Sequence, residues 1–118
     1  MESTKLHYAL ILRIYGKEKC FGPGIADLLE RVDRLKSLRK AAIEMDMAYS
    51  KAWKIMKTAE ENLGFPLLSS STGGRGGGGA SLTEPGRQFL ESYRRFEEAV
   101  RSFADEAFLE IMGNQEAE

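Results

Sequence analysis

The hydrophobic and polar positions of this chain change from an alternating pattern to a helical one after about twenty residues. Residues 5–15 alternate, with apolar side chains at Leu6, Tyr8, Leu10, Leu12 and Ile14. This period of two predicts an N-terminal strand. Residues 24–36 then follow Gly22-Pro23-Gly24 with apolar side chains three and four positions apart, at Ile25, Leu28, Leu29, Val32 and Leu35. That spacing predicts a first helix, and proline is favoured at such a start.

Two further helical patterns follow, separated by a short turn. Ser37 is a suitable N-cap for a short second helix with apolar positions Leu38, Ala41, Ala42 and Met45. Asp46-Met47-Ala48 then precede a longer run, 49–63, with one apolar face at Tyr49, Ala52, Trp53, Met56, Ala59 and Leu63. A short and a longer helix joined by a tight turn indicate a helix-turn-helix. We expect alanines to let the two helices cross closely. Trp53 lies on the apolar stripe, so we expect it to be a core anchor, with a base-stacking platform as the alternative.

A glycine-rich hairpin is predicted next. Six of the twelve glycines lie between Gly73 and Gly79, which favours a flexible loop. Residues 67–71 and 80–82 flank it and are suited to pair as strands. A hairpin after a helix-turn-helix is typical of a wing.

The last predicted helix, 84–112, has Thr83 as its N-cap and would be about 40 Å long. Its apolar residues are spaced four and three apart, as in a heptad seam: Phe89, Tyr93, Phe96, Val100, Phe103 and Ala107. This seam exceeds what one small core covers, so we expect it to form a homodimer interface. The alternative is a closed monomer, with the seam folded back on residues 5–15 and the first helix.

Composition limits the classes of protein. A chain of 118 residues, 42% hydrophobic and 30% charged, has the size and balance of one globular domain, 1–118. Neither a membrane span nor a signal peptide is recognisable, so we expect a cytoplasmic protein with no membrane partner. The single Cys20 and single His7 provide no disulfide and too few ligands for a structural zinc site. We expect no metal, no cofactor and no enzymatic activity.

Charge is distributed unevenly along the chain and points to a polyanionic partner. The net charge is -1, but residues 31–75 carry nine basic and five acidic side chains, whereas residues 76–118 carry four and nine. The exposed side of the third helix is basic or hydroxyl-bearing towards its N-terminus, as in helices that enter the major groove of double-stranded DNA. The predicted DNA-binding residues are Ser37, Arg39, Lys40, Tyr49, Ser50, Lys51, Lys54, Lys57, Thr58 and Arg75.

Other interpretations of the same residues stay open. The lysines could form an ordinary solvated face, Ser37 could serve only as a cap, and Arg75 could only keep a loop soluble. The tract GGRGGGGAS lacks the Gly-Lys-Ser/Thr ending of a nucleotide-binding loop. Cys20 has no second histidine to activate it, which makes catalysis by a Cys/His pair unattractive.

Residues 22–93 resemble the N-terminal DNA-binding domain of the ModE family of molybdate-responsive transcriptional regulators and, more distantly, the LysR-type winged helix. The shared features are Gly22-Pro23-Gly24, Met47-Ala48-Tyr49 with Ala52-Trp53, the run from Thr72-Gly73-Gly74, and Leu82-Thr83 with Gly86. The resemblance implies a homodimer of winged helices that binds a palindromic site through Ser50, Lys51, Lys54 and the wing. The family's C-terminal part carries molybdate-binding barrels, and we expect no such sensor in this sequence.

Together these patterns predict a mainly α fold with a small β component: a winged helix-turn-helix with an N-terminal strand and a long C-terminal dimerisation helix. The predicted function is that of a sequence-specific DNA-binding transcriptional regulator. An effector is not predicted. The alternative function is a winged-helix module that binds an acidic protein and has no specific DNA site.

Overall fold

A computed structural model describes residues 4–71, 79–113 and 116–117. These residues form four helices and six short strands, in the order β1 (Thr4–Lys5), β2 (Ile14–Tyr15), β3 (Lys19–Phe21), α1 (Pro23–Leu35), α2 (Leu38–Glu44), α3 (Tyr49–Leu63), β4 (Leu68–Ser71), β5 (Gly79–Leu82), α4 (Glu84–Met112) and β6 (Glu116–Ala117). The strands pair antiparallel as β1–β6, β2–β3 and β4–β5. This is the predicted mainly α fold with a winged helix-turn-helix layout and a long last helix.

The helix-turn-helix forms as its sequence pattern predicts. The Ser37 hydroxyl caps α2 by accepting a hydrogen bond of 3.0 Å from the backbone N–H of Lys40. Asp46 takes a left-handed conformation in the turn, and Gly64 takes one where α3 ends. The alanines of the two facing helices, Ala41, Ala42, Ala52 and Ala59, are fully buried. Their small side chains allow the close crossing that the sequence predicts.

The wing is an antiparallel hairpin in which Leu68 pairs with Leu82 and Ser71 with Gly79. Its base is attached to the helices on both sides. The Glu60 carboxylate at the end of α3 accepts hydrogen bonds from the backbone N–H groups of Leu67 and Leu68, at 2.8 and 3.2 Å. Thr83 donates its hydroxyl hydrogen to the Pro66 carbonyl and caps α4 by accepting from Gly86 N–H. The predicted flexible tract lies, except for Gly79, outside the described residues.

The prediction of one strand over residues 5–15 is wrong. Only Thr4–Lys5 and Ile14–Tyr15 are strands, and residues 6–13 between them belong to neither a strand nor a helix. Their alternation is nevertheless real, since Tyr8, Leu10, Leu12 and Ile14 are less exposed than the residues between them. The segment lies along α4 instead, where the Tyr8 ring packs on Phe108 at 5.3 Å and its hydroxyl bonds to Asp105. A helix can cover the apolar side of this segment, but its backbone groups cannot pair with those of the segment as a neighbouring strand would. The alternating pattern is therefore present although no sheet forms.

The predicted heptad seam of α4 divides into two parts. Tyr93 is 2% exposed, packs on Phe21 with ring centroids 5.0 Å apart, and donates its hydroxyl to the Leu12 carbonyl at 2.7 Å. Phe89 packs edge-on against Phe21 at 4.8 Å. Tyr93 therefore belongs to the core of its own chain, which contradicts its expected place in a dimer interface, whereas Phe89 is partly buried against that core.

The second part of the seam is uncovered. Phe96 and Phe103 are 49% and 72% exposed, and Val100 and Ala107 beside them are partly exposed. We call these four residues the α4 stripe. The closed-monomer alternative is realised in part, because residues 5–15 and α1 both contact α4 but leave the stripe open.

Packing at the base of the wing predicts one sensitive position. A Cβ atom added at Gly86 would lie 2.6 Å from the Leu67 carbonyl oxygen and 2.9 Å from Thr83 Oγ1. We expect Gly86→Ala to lower the free energy of unfolding by about 1–3 kcal/mol, the usual cost of overpacking. Urea denaturation measures the difference. Gly24→Ala is the matched control, since Gly24 also lies in the first turn of a helix and its Cβ would meet nothing within 4 Å. Equal stability of the two variants would contradict the close approach of α4 to the wing.

No helix among the described residues combines the length and the apolar character that a membrane crossing requires.

Candidate nucleic-acid interface

The start of α2, one flank of α3 and the wing strands enclose a groove of about 440 Å³. We call it the wing groove. It brings together five of the predicted DNA-binding residues with wing residues Ser70, Gly79 and Ala80; the five are Ser37, Arg39, Lys40, Tyr49 and Lys57. Residues that are up to forty-three positions apart in the sequence therefore share one surface.

The outward side of α3 holds the next group of predicted residues. Ser50, Lys54 and Lys57 are exposed and lie opposite the buried Ala52, Met56 and Ala59. We call these three the reader face. Lys51, exposed, and Thr58, half-buried, lie on the flank that points towards β3. The helix thus presents cations and hydroxyls over its first turns. At its partly acidic C-terminal end, Glu60 accepts the hydrogen bonds from the base of the wing.

The arginines of α1 and two arginines of α4 lie beside carboxylates. Arg94 on α4 contacts Asp27, Glu30 and Glu97 at 2.8–2.9 Å, Arg87 contacts Asp33 at 2.8 Å, and Arg34 contacts Glu44 at 2.6 Å. Lys57 is 3.5 Å from Glu60. In the described part of the chain, Arg39, Lys40, Lys51 and Lys54 have no carboxylate within 4.0 Å. The positive field at the start of α2 and α3 is therefore not neutralised locally.

These pairs also shift the titration of their members. Hydrogen bonds from Arg87 hold the pKa of Asp33 below its ordinary value, and those from Arg34 do the same for the pKa of Glu44. Hydrogen bonds to Glu30, Glu97 and Asp27 raise the pKa of Arg94. Burial, together with the charge of Glu97, raises the pKa of Tyr93 to about 12. At neutral pH Asp33 and Glu44 are therefore ionised and Arg94 is protonated, so these ion pairs persist. Their carboxylates do not neutralise the unpaired cations of α2 and α3.

Trp53 is not the core anchor that its apolar spacing predicts. Half of its surface is exposed, and it lines the wing groove with Lys57 Nζ 5.3 Å from its ring centroid. Arg39 lies similarly over the Tyr49 ring, 4.2 Å from the centroid. Each contact has the geometry of a cation–π interaction. The sequence contained one indication of this position: Lys57 follows Trp53 by four residues, so both lie on one side of the helix.

The remaining residues that the sequence singles out are Ser37, Arg75, Cys20 and His7. Ser37 caps α2, and the residue is half-buried and lines the wing groove. Arg75 lies outside the described residues. Cys20 is buried and His7 is exposed, and the described residues contain no cluster of histidine, cysteine and carboxylate side chains suited to a metal.

Comparison with known proteins agrees with this arrangement. The family described as bacterial regulatory helix-turn-helix protein, lysR family, matches residues 26–87, which run from α1 to the start of α4. The chain is 36% identical over 78 residues to the molybdenum transport protein ModE of Azotobacter vinelandii, over 66% of this chain and 29% of that protein.

Two further relatives share the same region. The molybdenum-pterin-binding protein MopA of Rhodobacter capsulatus is 32% identical over 100 residues, covering 85% of this chain and 37% of MopA. The DNA-binding transcriptional dual regulator ModE of Escherichia coli K12 is 28% identical over 85 residues, covering 71% and 32%. The chain spans about a third of the length of these curated relatives.

The resemblance to ModE regulators and to the LysR-type winged helix is thereby confirmed. The match covers the two crossing helices, the wing and the cap of α4, the same elements that assemble the groove and the reader face. This chain therefore belongs to the LysR family of bacterial regulatory helix-turn-helix proteins.

Proposed function

We propose that this protein is a transcriptional regulator that binds a specific site in double-stranded DNA as a homodimer. The observation that carries the proposal is a set of cations without carboxylate partners: Arg39 and Lys40 at the start of α2, beside the wing, and Lys51 and Lys54 on the neighbouring α3. In a protein whose net charge is -1, this concentration of positive charge is matched to a polyanion.

In this proposal α3 is the recognition helix. Its reader face, Ser50, Lys54 and Lys57, enters the major groove, with Lys51 and Thr58 beside it. Lysine binds phosphates or the acceptor edge of guanine, and small hydroxyls bind either base edges or phosphates. Arg39, Lys40 and the partly exposed Ser37 hold a phosphate of the flanking backbone, since a helix start offers backbone N–H groups as well as side chains. Arg75 extends the contact from the wing.

Tyr49 and Trp53 add an aromatic surface between the recognition helix and the wing. A ring held in place by a neighbouring cation presents an apolar edge, which suits a thymine methyl group or a sugar. The wing groove would then contribute to sequence preference as well as to affinity.

Replacement of Trp53 distinguishes this role from that of a core residue. We expect Trp53→Ala to weaken binding to the preferred DNA site while costing about 1–2 kcal/mol of stability, less than the about 3–5 kcal/mol of a fully buried tryptophan. Tyr15→Ala is the control, because Tyr15 is 65% exposed and lies in neither α3 nor the wing. A Trp53 variant that unfolds readily, or one that binds DNA like the Tyr15 control, would contradict the assignment.

The homodimer is proposed from the α4 stripe. Phe96 and Phe103 leave a large apolar surface in water, and a monomer gains by covering it. A second copy of the same helix offers the matching surface, and a two-fold dimer places two recognition helices on the half-sites of a palindrome. The 118 residues act as one domain in this arrangement, with α4 as its dimerisation element. The proposed setting is cytoplasmic, and no catalytic step is involved.

Selection from a random duplex library with the purified protein tests the proposal. We expect recovery of one palindromic sequence, bound more tightly than random duplex, with an affinity that falls steeply as salt is raised because counterions are released from the phosphates. The competing function, a module that binds an acidic protein, predicts no enriched sequence. If the selected pool has the same sequence composition as the random starting pool, the proposed function is contradicted.

A further inference from the structure

A second cavity, of about 650 Å³, lies on the other flank of α3, away from the wing. The N-terminal segment, β3, the start of α1 and the turn before α3 close its other sides. Its apolar wall is formed by Ile11, Phe21, Ile25, Leu28, Met47 and Ile55. Phe21 and Leu28 are 1% and 0% exposed, so the floor of this cavity is part of the protein core. We call it the α1–α3 cavity, and its volume is in the range of small-molecule sites.

The charged residues that line this cavity all have the same sign. They are Arg13, Lys19, Lys51 and Lys54, and no aspartate or glutamate is among the lining residues. None of the four cations has a carboxylate within 4.0 Å in the described ranges 4–71, 79–113 and 116–117. The four come from the N-terminal segment, β3 and α3, so it is the tertiary fold that gathers them around an apolar floor.

The combination selects one ligand chemistry. A DNA phosphate would form ion pairs with the cations but would make no contact with the apolar wall. A neutral hydrocarbon would pack against the wall but would leave the four cations without an anion. A small molecule with an apolar body and one anionic group satisfies both, because its body leaves water while its charge meets the lysines. We propose that the α1–α3 cavity binds such an amphiphilic organic anion and that its occupation lowers affinity for DNA.

The coupling follows from residues that belong to both surfaces. Lys54 is part of the reader face and Lys51 lies beside it, yet both also line the cavity. An anion held between them neutralises charge that the DNA phosphates would otherwise meet. Binding of the ligand therefore lowers the affinity for DNA, and by linkage binding of DNA lowers the affinity for the ligand by the same factor. This coupling rests on the proposed DNA binding, whereas ligand binding itself does not.

Anilinonaphthalene sulfonate is a suitable probe, since it joins an aromatic body to one anion and its fluorescence reports binding. Titration of the full chain without DNA should show saturable binding at one site per chain. The neutral analogue phenylnaphthylamine, which keeps the body and lacks the charge, should bind more weakly. Lys19→Gln should weaken binding of the sulfonate by about two- to fivefold, as expected from the loss of one exposed ion pair.

Lys17→Gln is the matched control. It removes the same charge from the same hairpin, but Lys17 does not line the cavity. A second pair locates the body of the probe: Ile11→Asp places a carboxylate at the cavity, whereas Ile43→Asp does so at a residue on α2 that is 70% exposed and outside it. Only Lys19→Gln and Ile11→Asp should reduce binding of the sulfonate.

Competition with DNA completes the test. Saturating sulfonate should lower affinity for the selected duplex by about tenfold, within the usual range of coupling between sites. At a lower sulfonate concentration, equal to its dissociation constant for the wild-type protein, the loss of DNA affinity should be smaller in Lys19→Gln than in Lys17→Gln. Equal binding of the charged and neutral probes, or equal effects of the paired variants, would overturn the site. Binding that depends on Lys19 but leaves DNA affinity unchanged would overturn the coupling. A protein that binds no DNA but binds the sulfonate as described would reject the proposed function and keep the site.

Discussion

Replacement of Lys51, Lys54 and Lys57 by alanine is expected to weaken binding to the selected duplex and to flatten its dependence on salt. Each phosphate contact contributes about 0.9 to the slope of log affinity against log salt, so losing three contacts should reduce the slope by about 2.7. The physical reason is that fewer counterions are released when fewer cations reach the phosphates. Fluorescence anisotropy of a labelled duplex, measured over a series of salt concentrations, gives both quantities.

A control with the same loss of charge separates contact from net charge. Lys5, Lys17 and Arg95 are exposed, and all three lie outside α2, α3 and the wing. Their triple alanine variant should keep the wild-type slope, with a small loss of affinity from the altered net charge. If both triple variants change the slope equally, the cations of α3 do not contact the phosphates more than other surface cations do. The recognition helix would then be wrongly assigned.

Phe96→Asp combined with Phe103→Asp is expected to convert a dimer into a monomer of 13.2 kDa. Each phenylalanine removed from water contributes about 1.5–3 kcal/mol, and a dimer would bury four of them along the α4 stripe. The aspartates both remove this gain and add carboxylates that the interface would have to desolvate without a partner. Sedimentation at micromolar protein concentration measures the mass directly.

Binding to DNA should change together with the mass. Two linked recognition helices gain from binding both half-sites at once, and a monomer loses this gain. The matched control is Tyr15→Asp combined with Ile43→Asp, since these side chains are 65% and 70% exposed and lie off α4. A double α4 variant that still sediments as a dimer would exclude the stripe as the interface, and a wild-type protein of monomer mass would exclude the dimer.

The helices, their ends and the wing strands were predictable because the signals that specify them are local. The Ser37 and Thr83 caps, the left-handed Gly64 and the apolar spacing of α3 involve residues within one or two helical turns. The bounds predicted for the last helix, 84–112, agree with α4 for the same reason. The basic character of the α3 surface could also be predicted, since the side opposite a buried face must meet solvent.

The neighbour of an apolar face was not predictable in the same way. Periodicity indicates which residues share a side but not what covers it. Residues 6–13 alternate as a strand does, yet their cover is α4 and not another strand. The heptad seam is continuous in sequence, yet Phe21 buries Tyr93 and Phe89 while Phe96 and Phe103 are left open.

By itself the sequence determined which segments are helical, where they are capped, which side of α3 is basic and to which family the chain is similar. Only the tertiary structure decided the placement of Trp53. This residue lies about 60° around α3 from Met56, at the edge of the apolar face of the helix. The wing leaves half of the Trp53 side chain exposed there. The tertiary structure also decided which cations lie beside carboxylates and which surround the α1–α3 cavity. The physical reason is that helical order depends on neighbours along the chain, whereas burial and charge pairing depend on groups that only folding brings within a few ångströms of one another.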